Sequence, residues 1–215
     1  MCLCRPRPEG GGAVPTGGLK PAPFIVAEVV LPVSVVHDVP MCRQLISESE
    51  WDQHDGPALG DRLEWSNRAC GMAALRMILL AHHRPAPTVT ELCHLGVARD
   101  ALTPRGWLHA GIAALASEFG VPGHAESVAP TQLLDRITTG PVIISVTEQF
   151  PTDGRRGGHL VVARGFDDSP DPMIAFHDPS AWGQSNQEVS LSRLTSSYSG
   201  RAITFTNPQR AGAPA

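Results

Sequence analysis

The stretch SNRACGMAALRMILLAHH, residues 66–83, decides how this chain folds. Leu75, Ile78, Leu79 and His82 recur with Gly71 at the spacing of one helix face, and Ala74, Met77 and Ala81 widen the stripe. The pattern predicts a helix over about 68–83, stopped by RPAP. A cysteine followed by a glycine, Cys70-Gly71, stands at its mouth. Asn67 or Ser66 is the expected cap, which puts Cys70 in the first turn. Unpaired N–H groups and the helix dipole favour an anion there, and the thiolate is the reactive form of a thiol. Gly71 is expected to leave room for a substrate backbone, and the Cys70 N–H to face an oxyanion. Taken alone, Cys70 is as easily a small buried apolar residue.

Outward from this helix the chain divides. Residues 1–22 are rich in Gly and Pro and are expected to be a loose tail, as are residues 209–215. One domain is expected over residues 23–208. Residues 23–40 read as extended, with β-branched residues between prolines. Residues 41–63 read as a long surface segment anchored by Leu45, Ile46 and Trp51. After the Cys70 helix come three more helical stretches: 88–101 with Thr88 or Thr90 as cap, 105–120 stopped by Gly120, and 130–140 opened by Pro130 and closed by Gly140. The pattern then changes to strands at 141–149, 159–166 and 173–179, read as consecutive antiparallel neighbours. A short helix at 190–197 and a strand at 202–206 end the pattern. Helices first and sheet afterwards make the fold class α+β.

Composition narrows the function. The 215 residues suffice for one core, with 42% apolar and 18% charged residues. A net charge of -4 without a basic patch gives no reason to expect nucleic acid. No apolar run reaches the roughly 18 residues of a membrane helix, and the N-terminus lacks a secretory apolar segment. Five cysteines in irregular spacing argue against a disulfide framework, so a reduced, cytoplasmic setting is expected. Lys20 is the single lysine among 17 basic residues, an arginine bias taken as that of a GC-rich bacterium. Cys93-His94 and His82-His83 do not match zinc-ligand spacings, so neither metal nor cofactor is expected.

Two further segments bear on Cys70. In RRGGHLVVARGF, His159 opens an apolar strand directly after two glycines, with Gly158 leaving the backbone bare beside it. In IAFHDPS, Asp178 closes the next strand. A pairing symmetric about residues 169 and 170 brings Asp178 within about two positions of His159; a slip of one residue would turn it to the other face. His177 should then point away from Asp178. Cysteine, histidine and aspartate are the side chains of a nucleophile, its base and the acceptor that orients the base. Read without function, His159 is a strand end and Asp178 an Asp-Pro turn starter.

These segments resemble a known family. CGMAALRMIL is similar to the Cys-Gly-x-x-x-Leu-x-Met helix of the C39-like, papain-fold cysteine peptidases. GGHLVVARGFDD resembles their Gly-His strand, and IAFHDPS their Asp-Pro strand end; the likeness spans roughly residues 36–206. It implies a papain-like fold, a Cys70–His159 thiolate–imidazolium pair oriented by Asp178, and cleavage of a peptide or small amide through a thioester. No transporter segment is recognised, so a stand-alone member is expected, with no membrane or nucleic-acid partner; the oligomeric state is not legible. Two positions depart from the family pattern. Glu64 stands six residues before Cys70, where the family places an oxyanion-binding glutamine, and Met72 replaces a proline. A carboxylate cannot donate unless protonated. Asn67 and Gln44 are the candidate replacements. Trp65, Gly158 and Trp182 flank the three key positions and are candidates for contacting substrate. Arg155 and Arg156, in the loop before His159, read as solvated, with binding of an acidic substrate group as the alternative. Acyl transfer by the same three residues, or a non-catalytic peptide-binding module, are the alternatives.

Overall fold

The computed structural model describes residues 34–206. The two tails and most of the extended segment 23–40 lie outside them, as do Cys2 and Cys4. Within 34–40 the chain forms a two-residue strand, β1 (Val35–Val36).

The first departure from the sequence reading is residues 41–63. They form helix α1 (Glu48–Gln53), a short 3-10 turn at Gly56–Ala58 and the start of helix α2 (Arg62–Arg68). Ser47 caps α1 and Asp61 caps α2, each accepting from the N–H three residues on. These are polar, cap-rich turns with few apolar residues, so periodicity hardly marks them. Ile46 and Trp51 are buried as expected, whereas Leu45 is exposed.

The cysteine helix is α3 (Cys70–Ala81), and it is buried on more than one face. Met72, Ala73, Ala74, Leu75, Met77, Ile78 and Leu79 are all inaccessible to solvent. Each large side chain sealed in this way contributes about 1.5–3 kcal/mol of burial free energy, which makes α3 the central post of the helical half. Helix α4 (Val89–Ala98) follows, with Thr88 and Glu91 closing a reciprocal capping box. The stretch 105–120 is helical only from α5 (His109–Glu118); before it, β2 (Leu102–Thr103) and β3 (Gly106–Trp107) make a small hairpin. Gly120, at φ 78°, ends α5 in a left-handed turn that glycine adopts without strain.

The second half is a seven-stranded sheet. It contains β4 (Gly123–Ser127), β5 (Val142–Val146), β6 (His159–Phe166), β7 (Met173–His177), β8 (Glu188–Ser190) and β9 (Arg201–Phe205), in the order β4-β9-β5-β6-β7-β8, with β1 also on β6. Every pairing is antiparallel. Helix α6 (Leu133–Thr139) precedes β5, and α7 (Leu191–Ser197) precedes β9. The sheet divides two cores. Ile143, Leu160 and Val162 face α3, while Ile144, Val161 and Ala163 face Phe150, Phe166 and Phe176. That two-sided burial is why these strands read as continuous apolar runs.

Candidate active site

Three separate elements supply the three residues. Cys70 is the first residue of α3, His159 the first of β6, and Asp178 directly follows β7. The β6–β7 register fixes the last two. Val162 pairs with His177 and Ala163 with Phe176, the register of a pairing about 169 and 170. The bulge that shifts it lies at Ala163/Gly165, beyond the end that matters here. Asp178 therefore reaches His159, and Oδ1 accepts from Nε2 at 2.7 Å. His177 turns the other way, with Nε2 2.8 Å from the carbonyl of Val39.

The pair is buried: His159 is 8% exposed and Asp178 0%. Burial alone would lower the imidazole pKa. The hydrogen bond with Asp178, then that with the Cys70 thiol and the charges of both groups, outweigh it and raise His159 to about 10. With Nε2 committed to Asp178, Nδ1 is the ring nitrogen left for Cys70. For Asp178, burial acts to raise the pKa. The His159 hydrogen bond and charge, with the N–H of Ser180 donating at 2.8 Å, overcome that and hold it below the usual carboxylate value. Cys70 itself is half-buried, whereas Cys42 and Cys93 are buried. Burial pushes the Cys93 thiol up to about 12.

Several expectations are corrected. Ser66 and Asn67 do not cap α3; they belong to the last turn of α2, and the cap position is Ala69, which has no side-chain hydrogen bond. The expected cap fails because α2 runs up to Arg68, and the break at Ala69 (φ -83°, ψ 6°) hardly departs from helical geometry. Ser66 accepts from the Ile46 N–H at 3.1 Å and donates to Arg62 at 2.8 Å. Gly71 does not open space for substrate. It is buried, and a Cβ there would lie 3.0 Å from both Trp107 Cδ1 and Ile112 Cδ1 and 3.1 Å from Leu160 Cδ1. Its role is close packing of α3. Trp65 is a core residue, its indole N–H donating to Leu59 at 2.8 Å. Trp182 is half-buried and stacked on Phe176, centroids 6.1 Å apart. Gly158 is exposed at φ 95°, and a Cβ there would meet no atom within 4 Å, so the backbone before His159 is open.

The two oxyanion candidates now separate. Asn67 is exposed on α2. Gln44 is held at the site's edge. Its N–H donates to Pro179, next to Asp178, at 2.9 Å, and two residues on Ile46 is tied to Ser66 on the way into α3. The Gln44 side-chain oxygen is buried without a partner among the described residues, so this amide is uncommitted. Glu64 is turned to solvent and paired with Arg68 at 3.3 Å.

Sequence reasoning missed two supporting residues. The Ser180 N–H steadies Asp178, and Gly183 packs directly against it: a Cβ at Gly183 would meet the Asp178 carbonyl oxygen at 2.1 Å. The glycine of AWGQ is the visible signal, legible only once the turn after Asp178 is known to fold back.

Comparison with known proteins identifies the family. The profile described as the peptidase C39 family matches residues 63–210, more than half of the chain. The chain belongs to the peptidase C39 family. Two solved structures share the fold. A Bacillus anthracis protein described as a putative C39-like peptidase superposes with a TM-score of 0.54 at 16% identity, over 80% of this chain and 97% of that one. A double glycine motif protease from an AMS/PCAT transporter, solved with the leader peptide, gives 0.50 at 18% identity, over 80% and 96%. A search of curated proteins found no match. Peptidase C39 membership supports a cysteine-peptidase function and makes the fold papain-like. Among the described residues, no helix is long and apolar enough to cross a membrane.

Proposed function

We propose that this C39-family protein is a cysteine peptidase that cleaves a peptide or amide bond through a thioester on Cys70. The observation that carries the reading is the 2.7 Å contact of His159 Nε2 with Asp178, which leaves the other ring nitrogen for the half-buried thiol. The raised pKa of His159 favours the imidazolium as partner of a thiolate.

The chemistry follows from these positions. The Cys70 sulfur attacks the carbonyl carbon, and the carbonyl electrons move to oxygen. The Cys70 N–H and the Gln44 side-chain amide stabilise that oxyanion, each such donor accounting for roughly a hundredfold or more in rate. His159 gives its proton to the leaving nitrogen as the C–N bond breaks, forming the thioester. Water then loses a proton to His159 as it attacks, and the sulfur departs. Asp178 fixes the ring throughout. The open backbone at Gly158 gives the peptide access beside His159. The substrate class is a peptide, consistent with the leader peptide held by the AMS/PCAT transporter protease. The setting is a reducing one, in keeping with the free thiols of Cys42, Cys70 and Cys93.

Mass spectrometry of the protein incubated with peptides, quenched in acid, tests this. An acyl adduct on Cys70 that is absent in Cys70→Ser is the expected result. Peptide turnover by Cys70→Ala would overturn the reading.

A further inference from the structure

Beside Trp107 lies a cavity of about 760 Å³ between the β2–β3 hairpin, the first turn of α5 and the ends of β4 and β9. Its Trp107 wall reaches the first turn of α3, the helix that Cys70 opens. Trp107, on its wall, donates its indole N–H to the Arg68 carbonyl at 2.6 Å and packs against Gly71, the neighbour of Cys70. On the sheet side, Arg201 opens β9 just beyond the Ile144–Ala202 pair, at the end of the sheet where Val146 pairs with His159. Two strand spacings, roughly 10 Å, separate the β9 and β6 positions, a span of about three extended residues.

The cavity is electropositive and uncommitted. Arg105 and Arg201 line it, and among the described residues their guanidinium groups have no hydrogen-bond partner; each is tied down through its backbone N–H. The one carboxylate in the wall, Glu126, is held by Arg136 at 3.1 Å and by Thr204 at 2.6 Å. His109 Nε2 is buried without a partner among the described residues. Burial and then the nearby Arg201 charge lower its pKa, so the ring stays neutral with a nitrogen able to donate. The ten-residue helix α5 begins here with no side-chain cap and no acidic residue in its first turn, so its N–H groups add to the same field. Trp107, Leu108 and Ala125 supply an apolar part of the wall, beside Thr103 and Ser127.

We propose that this cavity is a specificity subsite that binds a carboxylate of the peptide substrate, an acidic side chain or the C-terminus, within about three residues of the cleaved bond. The inference rests on the peptidase reading above. Arg105 and Arg201 pair with the carboxylate and the apolar part of the wall holds the carbons that carry it.

The test uses Ala/Gly-based octapeptides that differ only in Glu against Gln at each position, and in a C-terminal acid against an amide. Cleavage by the full chain and binding to Cys70→Ala are both measured, the latter by fluorescence anisotropy. The expected result is at least a tenfold advantage in kcat/KM and in affinity for one carboxylate position. That advantage collapses in Arg201→Gln and turns into a preference for Lys in the Arg105→Glu/Arg201→Glu double variant. The side-chain and C-terminal arms identify which carboxylate is read. Equal binding of acid and neutral peptides, or no measurable binding of either, overturns the subsite. Alkylation of Cys70 that depends on His159 would then leave the peptidase reading standing; its absence removes that reading separately.

Discussion

The backbone N–H of Gln44 donates to the carbonyl of Pro179 across 2.9 Å, joining a residue upstream of α1 to the turn that follows Asp178. On the reading proposed above, Gln44 serves as the oxyanion donor in place of a glutamine six residues before Cys70. Gln44→Ala is predicted to lower kcat about a hundredfold or more while leaving alkylation of Cys70 unchanged, since the thiol and its base are untouched. Steady-state kinetics beside iodoacetamide labelling checks both halves.

Glu64 leads to the opposite expectation. Its carboxylate is solvent-facing and paired with Arg68 one helical turn away. Exposed pairs of this kind contribute about 0.3–0.5 kcal/mol. Glu64→Gln is therefore predicted to change stability by less than about 0.5 kcal/mol and to leave kcat/KM within about twofold, read by denaturant titration and kinetics.

Gly183 predicts a loss without removing any functional group. A Cβ there would lie 2.1 Å from the Asp178 carbonyl oxygen and 2.4 Å from its Cβ, so the turn must shift. Gly183→Ala is predicted to displace the carboxylate from His159 and to move the His159 titration down toward the ordinary value of about 6.5, seen by NMR of the ring. An unchanged titration would mean that the turn absorbs the methyl elsewhere.

The His159–Asp178 pair predicts a stability profile. His159 has its folded pKa raised from 6.5 to about 10, so its stabilisation is fully present below about pH 6.5 and is lost as pH rises through about 10. Asp178 has its folded pKa lowered from 3.8, so its share is present above that value and is lost as pH falls through the folded pKa. The difference in unfolding free energy between the parent protein and Asp178→Asn is predicted to be largest between about pH 4 and 6.5 and to shrink on either side. Urea titrations across pH measure it.

Much of the site is legible in the sequence because its signals are local. Cys-Gly before an apolar helix, Gly-His before an apolar strand, and Asp-Pro after another each mark an element's end. A short β6–β7 connection forces two of those ends together, and the observed Val162–His177 pairing follows from it. The parts that escape depend on non-local packing. Helices α1 and α2 are polar and cap-driven, so their pattern reads as loop. Gly71 reads as room for substrate because sequence does not tell which helix face meets Trp107 and Ile112. Strand β4, Gly123–Ser127, is an edge strand with a mostly open face, and neither alternation nor an apolar run announces it. Arg201 lies far along the chain from Arg105 and His109 and meets them only once the hairpin and β9 are in place.

The most direct test of the account is the rate of iodoacetamide alkylation at Cys70 near neutral pH, followed by mass spectrometry in the parent protein and in His159→Ala. Cys93, sealed in the core with its thiol pushed up to about 12, serves as the internal reference. The account predicts rapid labelling of Cys70 that slows roughly tenfold or more when the imidazole is removed. Equal rates in the two proteins would contradict it, because the thiol and the ring would then not act as a pair.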